Sequence, residues 1–148
     1  MKSKVFRVLQ VGALLMIASA ALMAQSNRWE YQVRDQLHDA TRALNWAYDL
    51  QPSHEVYTVS LRNNTYQDIK YNLEAGETYV FVGVCDNDCS NMHLQLFDGY
   101  GKLIDSDTER GGYPVVTTSV GHGGAFYLRV IMHGCAHEPC WGGVGAYR

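Results

Sequence analysis

Two close pairs of cysteines are the residues of this chain whose types and spacing most clearly carry chemistry. Cys85 and Cys89 form one pair, and Cys135 and Cys140 form the other. Thiols this close in an exported protein favour local disulfides, although four cysteines allow three connectivities and a bridge between the two loops remains open. Each pair follows an apolar run typical of a buried strand. We therefore expect the bridges to pin loops at one end of a β-sandwich.

A zinc site is the alternative for the second pair. Cys135 lies between His133 and His137, and thiolates together with imidazoles are good zinc ligands. The spacing permits either interpretation, but an oxidising compartment favours disulfides. The sequence thus predicts two bridges, Cys85–Cys89 and Cys135–Cys140, rather than a metal centre.

Acidic residues in and after the first cysteine loop could bind calcium. Asp86 and Asp88 flank Asn87 on that loop, and Asp98 lies further along the chain. Calcium takes roughly six to eight oxygen ligands, which loops at one end of a sandwich can supply together. The alternative is that these side chains satisfy the backbone of solvated turns. The candidate calcium site comprises Asp86, Asp88 and Asp98, and no other cofactor is expected.

Serine and histidine lie near each other in sequence at two places, Ser90 with His93 and Ser119 with His122. Neither place has the glycine pattern of a nucleophile elbow, and order along the chain alone does not define a triad. We therefore expect no catalytic residues. The alternative is a secreted hydrolase with a site on its loops, in which a Ser or Asp would lie within reach of a loop histidine.

The first 24 residues predict a signal peptide. Basic residues precede an apolar stretch from Val8 to Met23, and small residues come before Gln25, where we predict cleavage. A transmembrane anchor is the alternative. Gln10 interrupts the stretch, however, and its uncharged core is barely long enough to cross a bilayer of about 30 Å. We expect a periplasmic or secreted protein with no stable membrane span after cleavage.

The charge of the mature chain bears on its partners. Three of the 12 Lys and Arg residues and none of the 15 Asp and Glu residues lie in residues 1–24. The mature chain then carries nine positive and 15 negative side chains, a formal net charge of −6. Nucleic acids and anionic membrane surfaces both require clustered Lys and Arg. The sequence therefore argues against either as a partner.

Residues 28–50 predict one amphipathic helix within an N-terminal segment, residues 25–52. Tyr31 and Trp46 lie off its apolar stripe, so they are either covered by another part of the chain or form a contact patch for a partner. Pro52 explains the predicted end of the helix. We expect the stripe to pack on the β-domain. Its members recur at three- and four-residue spacing: Trp29, Val33, Leu37, Ala40, Leu44, Ala47 and Tyr48.

After Pro52 the pattern changes to the alternation that is typical of strands, with turn residues between the runs. The run Thr78–Val84 is apolar on both faces, which predicts a central strand covered on both sides. The fold class predicted for residues 53–148 is an all-β, jelly-roll-like β-sandwich, preceded by one N-terminal α-helix. The eight predicted strands are Glu55–Leu61, Ile69–Leu73, Thr78–Val84, His93–Phe97, Lys102–Ser106, Val115–Ser119, Gly124–Met132 and Trp141–Tyr147.

Three motifs lie between Tyr66 and Arg148. They are Leu73-Glu74-Ala75-Gly76-Glu77-Thr78-Tyr79, then Leu94-Gln95-Leu96-Phe97-Asp98 with Gly101-Lys102-Leu103-Ile104, then Gly124-Ala125-Phe126-Tyr127-Leu128-Arg129-Val130. Together they resemble the bacterial pre-peptidase C-terminal domain, over about residues 66–148. The resemblance implies a secreted jelly-roll β-sandwich of a kind commonly appended to exported peptidases and other hydrolases, without catalytic residues of its own.

The function predicted from these features is that of an exported, non-catalytic binding or accessory module. Its partner would be a protein or a ligand of the cell envelope. We expect the contacts to lie on the two disulfide loops, Asp86–Ser90 and His133–Trp141, and on the helix. Trp141 follows a cysteine directly, and the alternative for its side chain is a position in the core. The alternatives are the hydrolase above and a purely structural envelope protein. The candidate binding residues are Trp141, His133, His137 and Trp46.

Overall fold

The computed structural model describes residues 28–44 and 49–148 of the chain. Residues 28–44 are helical and are called α1 here. Eight strands follow, and every predicted strand is present. The strands are β1 (Tyr57–Leu61), β2 (Thr65–Leu73), β3 (Thr78–Cys85), β4 (Met92–Asp98), β5 (Leu103–Asp107), β6 (Val115–Ser119), β7 (Gly124–Met132) and β8 (Cys140–Tyr147).

The strands form two antiparallel sheets of four strands each. Sheet A has the order β1-β8-β3-β6, and sheet B has the order β2-β7-β4-β5. The first and last strands of the chain pair directly, with Leu61 opposite Cys140. Two four-stranded sheets with these crossing connections make a jelly roll. The predicted fold class, a jelly-roll-like β-sandwich with one N-terminal helix, is confirmed.

The main core lies between the inner faces of the two sheets. Alternate residues of each strand point inwards, as the two-residue period of a strand requires. Tyr79 and Phe81 of β3 are fully buried there, opposite Leu96 of β4 and Leu128 of β7. The alternation is clearest in β2 and β7, where buried and exposed positions follow each other along most of the strand.

Helix α1 covers the outer face of sheet A. Val33 and Leu37 of the helix are buried against Val82 and Val84 of β3, in a second apolar cluster. Strand β3 is therefore apolar on both faces because it is covered on both, as the sequence predicts. Gly143 of β8 permits the close approach, since a Cβ at this position would collide with Cγ1 of Val33.

The helix ends before Asp49, earlier than the predicted end at Leu50. Asp49 has a φ of 45°, outside the helical region, and Leu50 is buried in the cluster beneath α1. Gln51 then exchanges backbone hydrogen bonds with Arg148 at 2.8 and 2.9 Å. Residues 1–27 and 45–48, which include the predicted signal peptide, Trp46 and Tyr48, lie outside the described residues.

Carboxylates close one open edge of the sandwich, where β5 of sheet B meets β6 of sheet A. The backbone N–H of Thr117 donates to Asp105 Oδ2 at 2.7 Å, and that of Val115 donates to Asp107 Oδ2 at 2.8 Å. Unpaired backbone groups on an edge strand are open to pairing with other chains. Asp105 and Asp107 of sheet B therefore provide hydrogen-bond acceptors for the N–H groups at the edge of β6 in sheet A.

Candidate functional site

The four cysteines form the two predicted disulfides, Cys85–Cys89 and Cys135–Cys140. Cys89 and Cys135 also pair through their backbones, so the two loops lie side by side at one end of the sandwich. The alternative zinc site is excluded, because both cysteines of the second pair are oxidised and no thiol in the described residues is free. We call these two loops, Asp86–Ser90 and His133–Trp141, the stapled end.

Asp86 is a buried structural residue at the stapled end. Only 2% of it is exposed, and its Oδ2 accepts the Trp141 N–H at 2.8 Å. The Asp86 N–H donates in turn to the Trp141 carbonyl at 2.9 Å. Burial raises the pKa of Asp86, against the hydrogen bond from Trp141, which lowers it. The other carboxylate oxygen, Oδ1, is buried with no hydrogen-bond partner in the described part of the chain.

The candidate calcium ligands do not come together in this structure. Asp88 lies at the stapled end, 3.4 Å from Nδ1 of His137, whereas Asp98 ends β4 near the opposite end. The side chain of Asp98 accepts the N–H groups of Tyr100 and Lys102, both at 2.9 Å, and so holds a turn. Among residues 28–44 and 49–148, no three carboxylate, imidazole or thiol groups are arranged to hold a metal ion.

The candidate binding residues at the stapled end differ in exposure. Trp141 is half-buried and packs against the cluster beneath α1, so its ring is not presented at a free loop edge. His137 is 84% exposed in its side chain, and its Nδ1 lies 3.4 Å from Asp88 Oδ1. His133 is exposed and contacts His93 of β4 rather than His137. Trp46, the fourth candidate, lies outside the described residues.

His93 and His133 form a pair at the junction of the stapled end and sheet B. Their ring centroids are 4.5 Å apart, with the planes inclined at 50°. Nδ1 of His133 is 3.1 Å from Asn64 Oδ1, whereas Nε2 of His93 is buried with no partner among the described residues. Burial and the neighbouring His133 lower the pKa of His93, and Asp107 opposes this shift.

The outer face of sheet B carries a cluster of aromatic and charged side chains. Tyr66 and Tyr127 are 57% and 37% exposed, and Leu103 at the β5 edge is also exposed. No helix within the described ranges covers this face, since α1 packs on sheet A. The face comprises Tyr66, Asp68 and Lys70 of β2, Tyr127, Arg129 and Ile131 of β7, His93, Gln95 and Phe97 of β4, and Leu103 of β5.

Arg129 lies at the centre of this face and is held on three sides. Its Nε and Nη2 atoms donate to the two carboxylate oxygens of Asp68 at 2.8 and 2.9 Å. Its guanidinium lies 4.1 Å from the ring centroid of Tyr66 and 5.2 Å from that of Phe97. The Asp68 hydrogen bonds raise the pKa of Arg129 further, so the group is a fixed cation.

Sequence reasoning missed this face because its members are far apart along the chain. Asp68 and Arg129 meet only when β2 pairs with β7, and Gln95 joins them only when β4 pairs with β7. One signal was available. Tyr66 and Asp68, two residues apart, and Tyr127 and Arg129, also two apart, occupy the polar positions of two alternating runs.

A cleft of about 630 Å³ lies near the opposite end of the sandwich, lined in part by Asp98, Ser119 and His122. Hydrolases use these residue types. The alternative function named above, a secreted hydrolase, requires a Ser or Asp within reach of a loop histidine. The Ser119 hydroxyl is hydrogen-bonded to that of Thr78 at 3.0 Å, and Asp98 holds the turn described above. Nucleophilic catalysis requires a nucleophile that is hydrogen-bonded to its base. In this structure Ser119 is hydrogen-bonded to Thr78, and Asp98 to the backbone of its own turn.

No known protein family matches the chain, and no curated protein does. Among solved structures, the chain is similar to the crystal structure of PliG from Aeromonas hydrophila, a periplasmic lysozyme inhibitor of g-type lysozyme. The sequence identity is 11% and the TM-score is 0.45, over 64% of this chain and 85% of that chain. So low a TM-score does not establish a shared fold. The resemblance of residues 66–148 to the pre-peptidase C-terminal domain stays a prediction. Within residues 28–44 and 49–148, no helix has the length and apolar character needed to span a membrane.

Proposed function

We propose that this protein is an exported, non-catalytic binding module that contacts a partner protein through the outer face of sheet B. Two disulfides support export, because such bridges persist in the periplasm and outside the cell. The signal peptide predicted for residues 1–24 supports it independently. The resemblance to the pre-peptidase C-terminal domain, a non-catalytic module, is compatible with this role.

One observation carries the proposal, namely the contrast between the two outer faces of the sandwich. The outer face of sheet A is buried beneath α1, whereas that of sheet B leaves Tyr66 and Tyr127 exposed to solvent. Aromatic residues and Arg are enriched at the centres of protein interfaces and supply most of their binding energy. The outer face of sheet B combines these residue types and leaves them exposed to solvent. This combination indicates a contact surface.

The rigidity of Arg129 adds to this argument. Its bidentate pairing with Asp68 and its stacking on Tyr66 already restrict the side chain before any partner binds. A flexible arginine loses side-chain entropy when it is immobilised at an interface, and a restrained one loses less. The same contacts neutralise the charge of Arg129, so the face can be covered without leaving an unpaired cation.

The extent of the face, which spans all four strands of sheet B, favours a macromolecule over a small ligand. Small molecules bind in concave sites, where most of their surface is enclosed. One cleft of about 630 Å³ lies at the end of the sandwich, and clefts of about 330 and 630 Å³ lie between α1 and residues 50–56. None of the three includes Tyr66, Tyr127 or Arg129. The surface formed by adjacent strands suits a protein partner, whose interface typically buries about 800 Å² on each side.

Site-specific photo-crosslinking tests the proposal. A photoreactive phenylalanine analogue would replace Tyr66 or Tyr127 in the protein produced in its own cells. Tyr31 of α1, which is 71% exposed, provides the matched control. We expect one discrete protein adduct from positions 66 and 127 and none from position 31. Equal adducts from all three positions, adducts only with a second copy of this chain, or no adduct would each overturn the proposal.

A further inference from the structure

The His93–His133 pair lies at one corner of the outer face of sheet B. Its two imidazoles could do chemistry that the proposed protein contact does not use. Nε2 of His93 is buried and has no hydrogen-bond partner in the part of the chain that the structure describes. Such groups are rare in folded proteins, and an ion or a water that completes them is one common explanation. The position of His133 favours the ion.

Asn64 orients the second imidazole of the pair. Its Oδ1 can only accept a hydrogen bond, so the contact at 3.1 Å places the proton of neutral His133 on Nδ1. Nε2 of His133 then presents its lone pair. Histidines that ligate metals are usually held in this way, with the non-ligating nitrogen donating to an oxygen that fixes the ring.

The distance between the rings allows both to bind one cation. An imidazole nitrogen lies about 2.0–2.1 Å from a bound Zn²⁺, so two such nitrogens must come within about 4 Å of each other. The ring centroids lie 4.5 Å apart, and Asn64 holds the His133 ring in place. Binding therefore requires the His93 ring to turn about its Cβ–Cγ bond until its Nε2 lies within that distance of His133 Nε2.

We propose that His93 and His133 bind one divalent transition-metal cation through their Nε2 atoms, with water completing the coordination. Neutral imidazoles suit Cu²⁺, Ni²⁺ and Zn²⁺, whereas calcium requires oxygen ligands. Asp107 faces His93, but its two carboxylate oxygens accept the N–H groups of Glu109 and Val115 at 3.1 and 2.8 Å. Both oxygens of Asp107 thus hold backbone N–H groups, and the ligands assigned here are the two imidazole nitrogens. This site differs from the zinc site considered for Cys135, whose thiol is oxidised.

Isothermal titration calorimetry on the exported protein, purified without a histidine tag, tests this site. We expect one equivalent of Cu²⁺ to bind, more tightly than Ni²⁺ or Zn²⁺, and no heat from Ca²⁺ at the same concentrations. His133→Gln and His93→Gln should each weaken Cu²⁺ binding by tenfold or more, and Asn64→Ala by about tenfold. His122→Gln, at the other end of the sandwich, is the matched control and should bind as the wild type does.

Zn²⁺ titration followed by NMR of the imidazole nitrogens provides a second measurement on the unmutated protein. The Nε2 signals of His93 and His133 should shift together and saturate at one equivalent. This readout holds even if His93→Gln fails to fold. Binding that is absent, that survives His133→Gln, or that shifts only other histidines would overturn the assignment.

Discussion

At the scale of single residues, Asp86 illustrates how a loop carboxylate can be structural. Its burial ties the first disulfide loop to Trp141 of β8 through a pair of hydrogen bonds, one in each direction. An acidic residue between two cysteines is typical of a solvated turn or a cation ligand, and its burial could not be predicted from the local sequence. It arises because β3 and β8 pair up to Cys85 and Gly142, directly beside Asp86.

The stability of the protein should depend on pH through Asp86. Because burial raises its folded-state pKa, the folded state holds this proton more tightly than the unfolded chain does. The carboxyl thus favours folding below the unfolded pKa of about 3.8, and that contribution is lost as the pH rises through the folded pKa. At neutral pH the ionised group costs stability.

We therefore expect Asp86→Asn to be more stable than the wild type at pH 7, with the difference shrinking below about pH 4. Asp86→Ala should instead cost about 1–3 kcal/mol at pH 7, because the Trp141 N–H loses its acceptor. Urea unfolding at both pH values measures these effects. If Asp86→Asn stabilised the protein equally at both pH values, the charge of Asp86 would not be the cause of the effect.

At the scale of elements, the close approach of α1 to sheet A requires a glycine at position 143. Gly143→Ala should cost about 1–3 kcal/mol, since the added methyl group would collide with Val33. In the Val33→Ala background the same change should cost clearly less, because the two sites share one contact. Gly121→Ala, which adds its methyl group to open space, is the control. Equal costs in both backgrounds would mean that α1 does not sit on Gly143.

The edge of β6 provides a second test at this scale. Asp107→Ala leaves the partly buried Val115 N–H without an acceptor, and we expect a loss of about 1–3 kcal/mol. Glu109→Ala, an exposed neighbour, should change stability by less than about 0.5 kcal/mol. Thermal unfolding in EDTA excludes a bound cation as the cause. A loss that appears only without EDTA would instead assign Asp107 to a metal site.

The sequence predicts these elements well because each strand carries a local signal. Alternating runs, continuous apolar runs and turn residues identify the eight strands. Thr78–Val84 is apolar on both faces, and this pattern predicts that the strand is covered on both sides. The largest error is the start of β2 at Thr65 rather than Ile69. Residues 65–68 carry few apolar side chains, so only their pairing with β7 identifies them as strand. Contacts between strands, including the His93–His133 pair, have no such local signal.

At the scale of the whole molecule, the disulfides fix loops more than they hold the fold. Each closes a loop of only a few residues, which restricts the unfolded chain little. Reduction should therefore lower stability by about 2–3 kcal/mol or less for each bridge and leave the sandwich folded. Denaturant unfolding with and without reductant, read by circular dichroism, measures this. Complete unfolding on reduction would show that the bridges hold the fold itself.

The central claim is that the outer face of sheet B binds a partner protein, and Arg129 tests it most directly. With the crosslinked partner purified, surface plasmon resonance would compare Arg129→Ala with Arg42→Ala, an exposed arginine of α1. We predict that Arg129→Ala weakens binding by more than about tenfold, with its melting temperature little changed, and that Arg42→Ala binds as the wild type does. Unchanged affinity in Arg129→Ala would contradict this account.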